Sequence, residues 1–395
     1  MTSRLALAVC CGLWLGGASA WAADNNAALP PGYSPDMSSE EAGLWMLQDR
    51  EEAALKTSAN LVRDEKLNAY VSGVICKLAA EYCPSIRVYI IDTPDWNAEC
   101  APNGMVLVFT GLLLQMKNEA QFAFVLGHEI THYTHRHSLD ALHRRVNTAG
   151  ALQVFDIAMA GVGAGVGADP RGAMSLGANI AQLSMLSYSR DQERDADEGG
   201  FKRATALGYA PQEAPAIWEN MAADNKADPN FSRHAFFNNH PGEEERAANN
   251  AKWAGEIVST RSDWVTNEDA FHAATAPFVR RWIEEELALA QPDRSIEIFR
   301  RLAANMPSRG IYQYALGEAY RKRNDSKKND PAAAESAYRG ALATADAPAE
   351  AWRGLGLVAM KAGRNADAKE AFTQYRAKLP DASDKAMVDF YLTQL

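Results

Sequence analysis

Apolar residues recur at helical spacing along most of the chain, and two short unbroken apolar runs interrupt them. From Ser39 to Ala80 the pattern is helical with a break near Asp64. Arg87-Val-Tyr-Ile-Ile-Asp92 and Met105-Val-Leu-Val-Phe109 read as strands, with turn-forming residues between Asn97 and Gly104. Phe122, Val125, Leu126 and Ile130 then return to helical spacing. Asn118 suits the N-cap of that helix, Gln121 stands where a capping box wants it, and Glu119 meets the positive end of the macrodipole. The expected class is α+β, mainly α, with a small sheet beside the helix at 118–132.

That helix carries the chemistry. His128-Glu-Ile-Thr-His132 places two imidazoles one turn apart on one face, where both reach a single metal ion. Glu129 is turned away from that face, so its carboxylate serves as general base rather than ligand. A third ligand is expected in the charged helical run Ser189 to Asp197, where Glu193 and Asp197 lie four apart. Glu193 would complete a two-histidine, one-glutamate zinc site, and Asp197 would accept the free N–H of a ligating histidine. The rival reading is a solvated acidic face paired with Arg190 and Arg194. His135 and Ser138 stand where a three-histidine site needs Gly and His, so that class is excluded, and His135 and His137 read as structural. His240 in Asn238-Asn-His-Pro241 is either a turn residue or one that approaches the metal or the transition-state oxyanion. An exposed edge of the small sheet would pair with an extended peptide; the alternative is that Val106, Leu107, Val108 and Phe109 form a buried core strand.

The remaining stretches set the frame. Residues 1–23 read as a secretory signal: Arg4, an apolar run from Leu5 to Leu15, and small residues up to Ala20, Ala22 and Ala23. Its removal takes away one basic residue and leaves 39 basic against 50 acidic side chains. Nothing in that balance, or in any long basic stretch, points to nucleic acid. Export leaves Cys76, Cys83 and Cys100 in an oxidising compartment, with Cys76–Cys83 or a pair involving Cys100 both open. Residues 24 to about 40 read as a flexible lead-in, and the Gly- and Ala-rich stretch 149–187 as packed small-residue helices or a flap over the cleft.

The last third has its own period. Trp352, Leu355, Gly356, Ala359, Ala368, Phe372 and Pro380 match a tetratricopeptide pattern. Leu316, Gly317, Tyr320, Ala334 and Tyr338 repeat it with a five-residue insertion around Asp325 to Asp330, and Phe299 and Pro307 end a degenerate earlier copy that begins near Phe278. Domains are therefore expected at 24–270 and 271–395, the second a solenoid that docks substrates or partners, against the alternative of a plain helical appendage.

With both motifs placed, the chain resembles the zinc metallopeptidase family that includes HtpX and the CAAX prenyl proteases, and in particular its periplasmic BepA-type members. The resemblance rests on Asp64 to Tyr70, Asn97-Ala98, Pro102-Asn-Gly104, Thr110-Gly-Leu112, Gly127 to His132, Arg136-His-Ser138, Tyr188-Ser-Arg190, Glu193 to Asp197 and His240-Pro241. It implies a gluzincin-type fold, zinc on His128, His132 and Glu193, Glu129 as general base, Asp197 behind a histidine and His240 in the active site. It also implies that Met105 to Phe109 is the substrate-pairing edge, and that the clients are misfolded outer-membrane proteins and their assembly machinery in the periplasm. Glu99-Cys100 departs from the small or apolar residues usual after Asn-Ala. An assembly chaperone with a closed zinc site is the alternative function.

Overall fold

The computed structural model describes residues 28–149, 188–227, 240 and 242–395. The signal read over 1–23 and all but one residue of the Gly-rich stretch lie outside the described residues.

Helix α1 (Glu40–Lys56) starts at Ser39, whose side chain accepts the Ala42 N–H. Helix α2 (Glu65–Leu78) starts at Asp64, which accepts the Leu67 N–H, so the break in the hydrophobic pattern is a cap. A disulfide joins Cys76, near the end of α2, to Cys83, and Cys100 is free and buried.

Three strands follow: β1 (Arg87–Ile91), β2 (Ala98–Cys100) and β3 (Met105–Phe109), in the order β1-β3-β2. Parallel pairing sets Arg87 opposite Met105 and Ile91 opposite Phe109. Antiparallel pairing sets Ala98 opposite Val108 and Cys100 opposite Val106. The expectation that Val106, Leu107, Val108 and Phe109 form the substrate-pairing edge is therefore corrected. They are the central strand, buried throughout, with a neighbour on each side already using their backbone groups. The outer strands are β1 and β2, the latter three residues hidden among turn formers. Phe109 N–H donates to Asn97 C=O at 3.1 Å and Ala101 N–H to Met105 C=O at 2.8 Å, so the backbone groups of Ala98 and Cys100 point away from β3.

Helices α3 (Thr110–Gln115), α4 (Glu119–Thr134) and α5 (His137–Ala149) come next. Asn118 caps α4 by accepting the Gln121 N–H at 3.0 Å, but Gln121 returns its own acceptor to Lys117 N–H, one residue short of a reciprocal box. The reciprocal box forms at α6 (Arg190–Ala206), between Ser189 and Gln192. Helices α4 and α6 cross glycine on glycine: a Cβ on Gly200 would stand 2.5 Å from the His128 backbone nitrogen. Glycine on both helices, Gly127 and Gly200, lets the two backbones approach so closely there.

Helices α7 (Glu213–Ala227), α8 (Glu243–Ile257), α9 (Glu268–Ala288), α10 (Pro292–Asn305), α11 (Gly310–Arg323), α12 (Asp330–Leu342), α13 (Glu350–Lys361), α14 (Asn365–Lys378) and α15 (Lys385–Gln394) complete the chain. The largest apolar core includes Phe122, Trp218, Phe271, Trp282 and Phe299, and so crosses residue 270. Arg301 of α10 adds a buried ion pair to Asp224 of α7 at 2.7 Å. Farther on, the Tyr338 ring packs where Gly317 lacks a side chain, and the Phe372 ring where Gly356 does. The two pairs differ in spacing by five residues, the length of the insertion, which Arg323 closes by pairing with Asp330 at 2.6 Å.

Candidate active site

Helix α4 is buried from end to end, and it carries His128, Glu129 and His132 into the interior. Because α6 crosses it at Gly200, the preceding two turns of α6 bring Asp197 and Glu193 against the histidines. Asp197 Oδ1 lies 2.9 Å from His128 Nδ1. Asp197 accepts that N–H, which leaves His128 Nε2 as a lone pair facing inward. His132 Nε2 is 3.0 Å from His128 Nε2, and Glu193 approaches them at 3.5 and 3.6 Å. Ligands about 2.0–2.2 Å from a tetrahedral ion stand roughly 3.3 Å apart, so the spacing is that of a zinc site.

His240, the one described residue of its loop, joins them. Its Nδ1 is 3.2 Å from His128 Nε2 and 3.0 Å from Glu193 Oε1. His128, His132, Glu193 and His240 together offer four atoms close enough for one ion, so its place in the loop brings it to the donors.

Glu129 stands beside the donors, with Oε1 3.9 Å from both His128 Nε2 and His240 Nε2. The Cys100 N–H, on the outward side of β2, donates to its carboxylate. Its Oε1 is buried with no hydrogen-bond partner among the described residues. Burial, with Glu193 and Glu99 nearby, pushes its pKa well up. Glu99 itself is raised to about 7 by burial. Burial and the Arg246 charge pull His128 down to about 4, against the influence of Asp197, so at neutral pH the imidazole is uncharged, the form that ligates.

Arg246 of α8 is the group that local sequence patterns do not mark. Its Nη2 meets Asp197 Oδ1 at 2.6 Å and its Nη1 meets Glu193 Oε2 at 3.1 Å, while its guanidinium lies 3.4 Å from the centre of the Trp218 ring. Burial alone would raise Asp197, but Arg246 and His128 outweigh it and hold the carboxyl at about 2. One buried guanidinium thus holds two buried carboxylates ionised, Glu193 and Asp197, while the Glu129 carboxyl beside them is pushed towards its neutral form by burial. A dication among the four donors would favour the ionised form of Glu129 and balance the three carboxylates against Arg246, and borderline imidazole donors with one carboxylate suit zinc. Tyr188 was also missed as a site residue: its ring stacks 3.9 Å from His132 and its hydroxyl meets Ser138 at 2.9 Å.

Residues 61–254 match the profile of Peptidase family M48. The chain is 29% identical over 178 residues to the Beta-barrel assembly-enhancing protease of Escherichia coli, covering 42% of this chain and 35% of that protein. It is 32% identical over 138 residues to the Mitochondrial metalloendopeptidase OMA1 of Arabidopsis thaliana, covering 35% of this chain and 26% of that one. Metalloprotease YcaL of Escherichia coli is 30% identical over 161 residues, 41% of this chain and 58% of YcaL. The matched stretches thus span about a third or less of the length of the first two relatives.

Proposed function

We propose that this chain, which carries a Peptidase family M48 domain over residues 61–254, is a zinc-dependent endopeptidase that degrades misfolded or misassembled envelope proteins. The observation that carries the reading is the convergence of His128, His132 and Glu193 on one point beside an unpartnered Glu129 oxygen, with more buried carboxyl groups than the one guanidinium can balance. Bound zinc supplies a Lewis acid for a carbonyl oxygen and acidifies a water near neutral pH. The protein supplies the rest. Asp197 holds His128 in its ligating tautomer, and Arg246 fixes Asp197 and Glu193. Glu129 takes a proton from water and returns it to the leaving amine, with Cys100 N–H orienting its carboxylate.

Substrate binding moves to β2. The outward groups of Ala98 and Cys100 lie on the sheet edge next to Glu129, so an extended peptide paired there sets its carbonyls beside the donors. Such pairing reads backbone more than side chain, which suits unfolded clients.

Export to the periplasm rests on the leader pattern in 1–23, and no described helix is long and apolar enough to cross a membrane. The division at 270/271 follows the repeat pattern, while the main apolar core continues beyond it. The tetratricopeptide-like part is proposed to dock clients or assembly machinery. Trimming residues 343–395 spares that core, and should weaken client capture while peptide cleavage persists.

A second reading, an assembly chaperone with a closed site, is favoured by His240, whose Nδ1 takes the place a substrate or water needs. Cleavage of an unfolded protein by the purified chain, lost on chelation and restored by zinc, supports the peptidase. Zinc held without cleavage in either wild type or His240→Ala favours the chaperone.

A further inference from the structure

Beyond the proposed catalytic site, His135, His137 and Asp195 form a separate cluster whose donor atoms are also close enough for one ion. We propose that these three residues bind a second divalent cation of the zinc type, and that its binding opposes metal binding at His132. The antagonism rests on the reading of His132 as a zinc ligand; the second site does not.

The cluster is shaped by the end of α4. His135 is the last capping residue, and Arg136 turns the chain in the left-handed region at φ 58°, so the imidazoles on either side of it both come to α6. Arg136 is held in that costly conformation by an ion pair to Glu41 and by the Tyr33 ring, 5.3 Å from its guanidinium. His135 Nδ1 is in direct contact with Asp195 Oδ2, and His137 Nε2 lies 3.3 Å from the same oxygen. The second distance is the donor spacing of a tetrahedral ion, and opening the first contact by less than an ångström matches it as well. His135 is about a third exposed and Asp195 about half, which gives an ion a path from solvent.

The coupling follows from the tautomers. His137 Nδ1 is 2.9 Å from His132 Nδ1, and one proton lies between them. When His132 Nε2 holds a metal, its proton is on Nδ1 and is donated to His137. His137 then carries its own proton on Nε2, facing Asp195, and cannot ligate. A cation on His137 Nε2 needs that proton on Nδ1, donated to His132 Nδ1; the His132 proton then sits on Nε2, and that nitrogen has no lone pair left for the first metal. Each site thus requires the opposite direction of one hydrogen bond.

The test is a zinc count on the purified mature protein by competition with a chromogenic chelator, alongside cleavage rates in rising free zinc. Wild type should bind one tight and one weaker equivalent, and the weaker should lower the rate about 10-fold or more as it fills. His135→Ala and Asp195→Asn should each lose the weaker equivalent and the inhibition while keeping the tight one. His128→Ala should lose the tight equivalent alone. A weaker equivalent that persists in both His135→Ala and Asp195→Asn, or a wild type that binds only the tight one, overturns the second site. A second equivalent that fills with no change in rate or in tight affinity overturns the antagonism. If wild type lacks the tight equivalent and keeps the weaker one, the second site stands and the catalytic-site reading fails, taking the antagonism with it.

Discussion

Arg246 Nη2 donates to Asp197 Oδ1 at 2.6 Å, and the same oxygen receives the His128 Nδ1 proton at 2.9 Å. A helix 49 residues downstream thus sets the protonation of a helix 69 residues upstream of Asp197. Removing a buried partner leaves an uncompensated charge, which costs about 3–5 kcal/mol. Arg246→Gln is expected to lower stability by about that amount in urea unfolding, and to weaken zinc binding about 10- to 100-fold. Arg246→Lys keeps the charge but loses the fork that reaches both Asp197 and Glu193, so it should recover part of the stability and little of the affinity.

The glycine crossing gives a second expectation. A Cβ at Gly200 meets backbone on α4, 2.5 Å from the His128 nitrogen and 2.8 Å from the Gly127 carbonyl carbon, and backbone cannot swing aside as a side chain can. Gly200→Ala should therefore push α6 off α4, cost about 1–3 kcal/mol, and separate Glu193 from the histidines. Thermal unfolding and bound-metal content should fall together. Gly255→Ala, where a Cβ meets nothing within 4 Å, is the matched control.

Acid stability should depend on Glu52. Burial would raise its carboxyl, but Arg87 at 2.6 Å, the Tyr89 hydroxyl at 2.7 Å and Lys56 outweigh it and hold it at about 2. The folded pKa lies below the unfolded one, so this contribution is present above about pH 4.5 and is lost as pH falls towards 2. Urea midpoints of wild type and Glu52→Gln should differ most near neutrality and converge as the pH drops through that window.

The helices, their caps and the main ligand candidates were legible in the sequence because each is a local pattern. His128 and His132 are four apart, Glu193 and Asp197 are four apart, and Asn118 caps its helix from within three residues, whereas Asp64 shows in the sequence only as a break in the pattern. What was misread depended on neighbours that periodicity does not name. An apolar run says that β3 is a strand, but being central or at an edge depends on β2, three residues in a stretch that looks like a turn. Arg246 resembles any arginine on a solvated helix until α8 folds over Trp218. The choice of Cys83 over Cys100 for Cys76 likewise follows from where β2 buries Cys100.

The central claim is that Glu129 is the base of a zinc peptidase and not one of its ligands. The most direct measurement is hydrolysis of an unfolded protein by mature wild type and Glu129→Gln, with bound zinc quantified in both. The account predicts equal zinc and a rate loss of at least about a hundred-fold in the variant. Equal cleavage by the two proteins, or loss of zinc from Glu129→Gln, would contradict it.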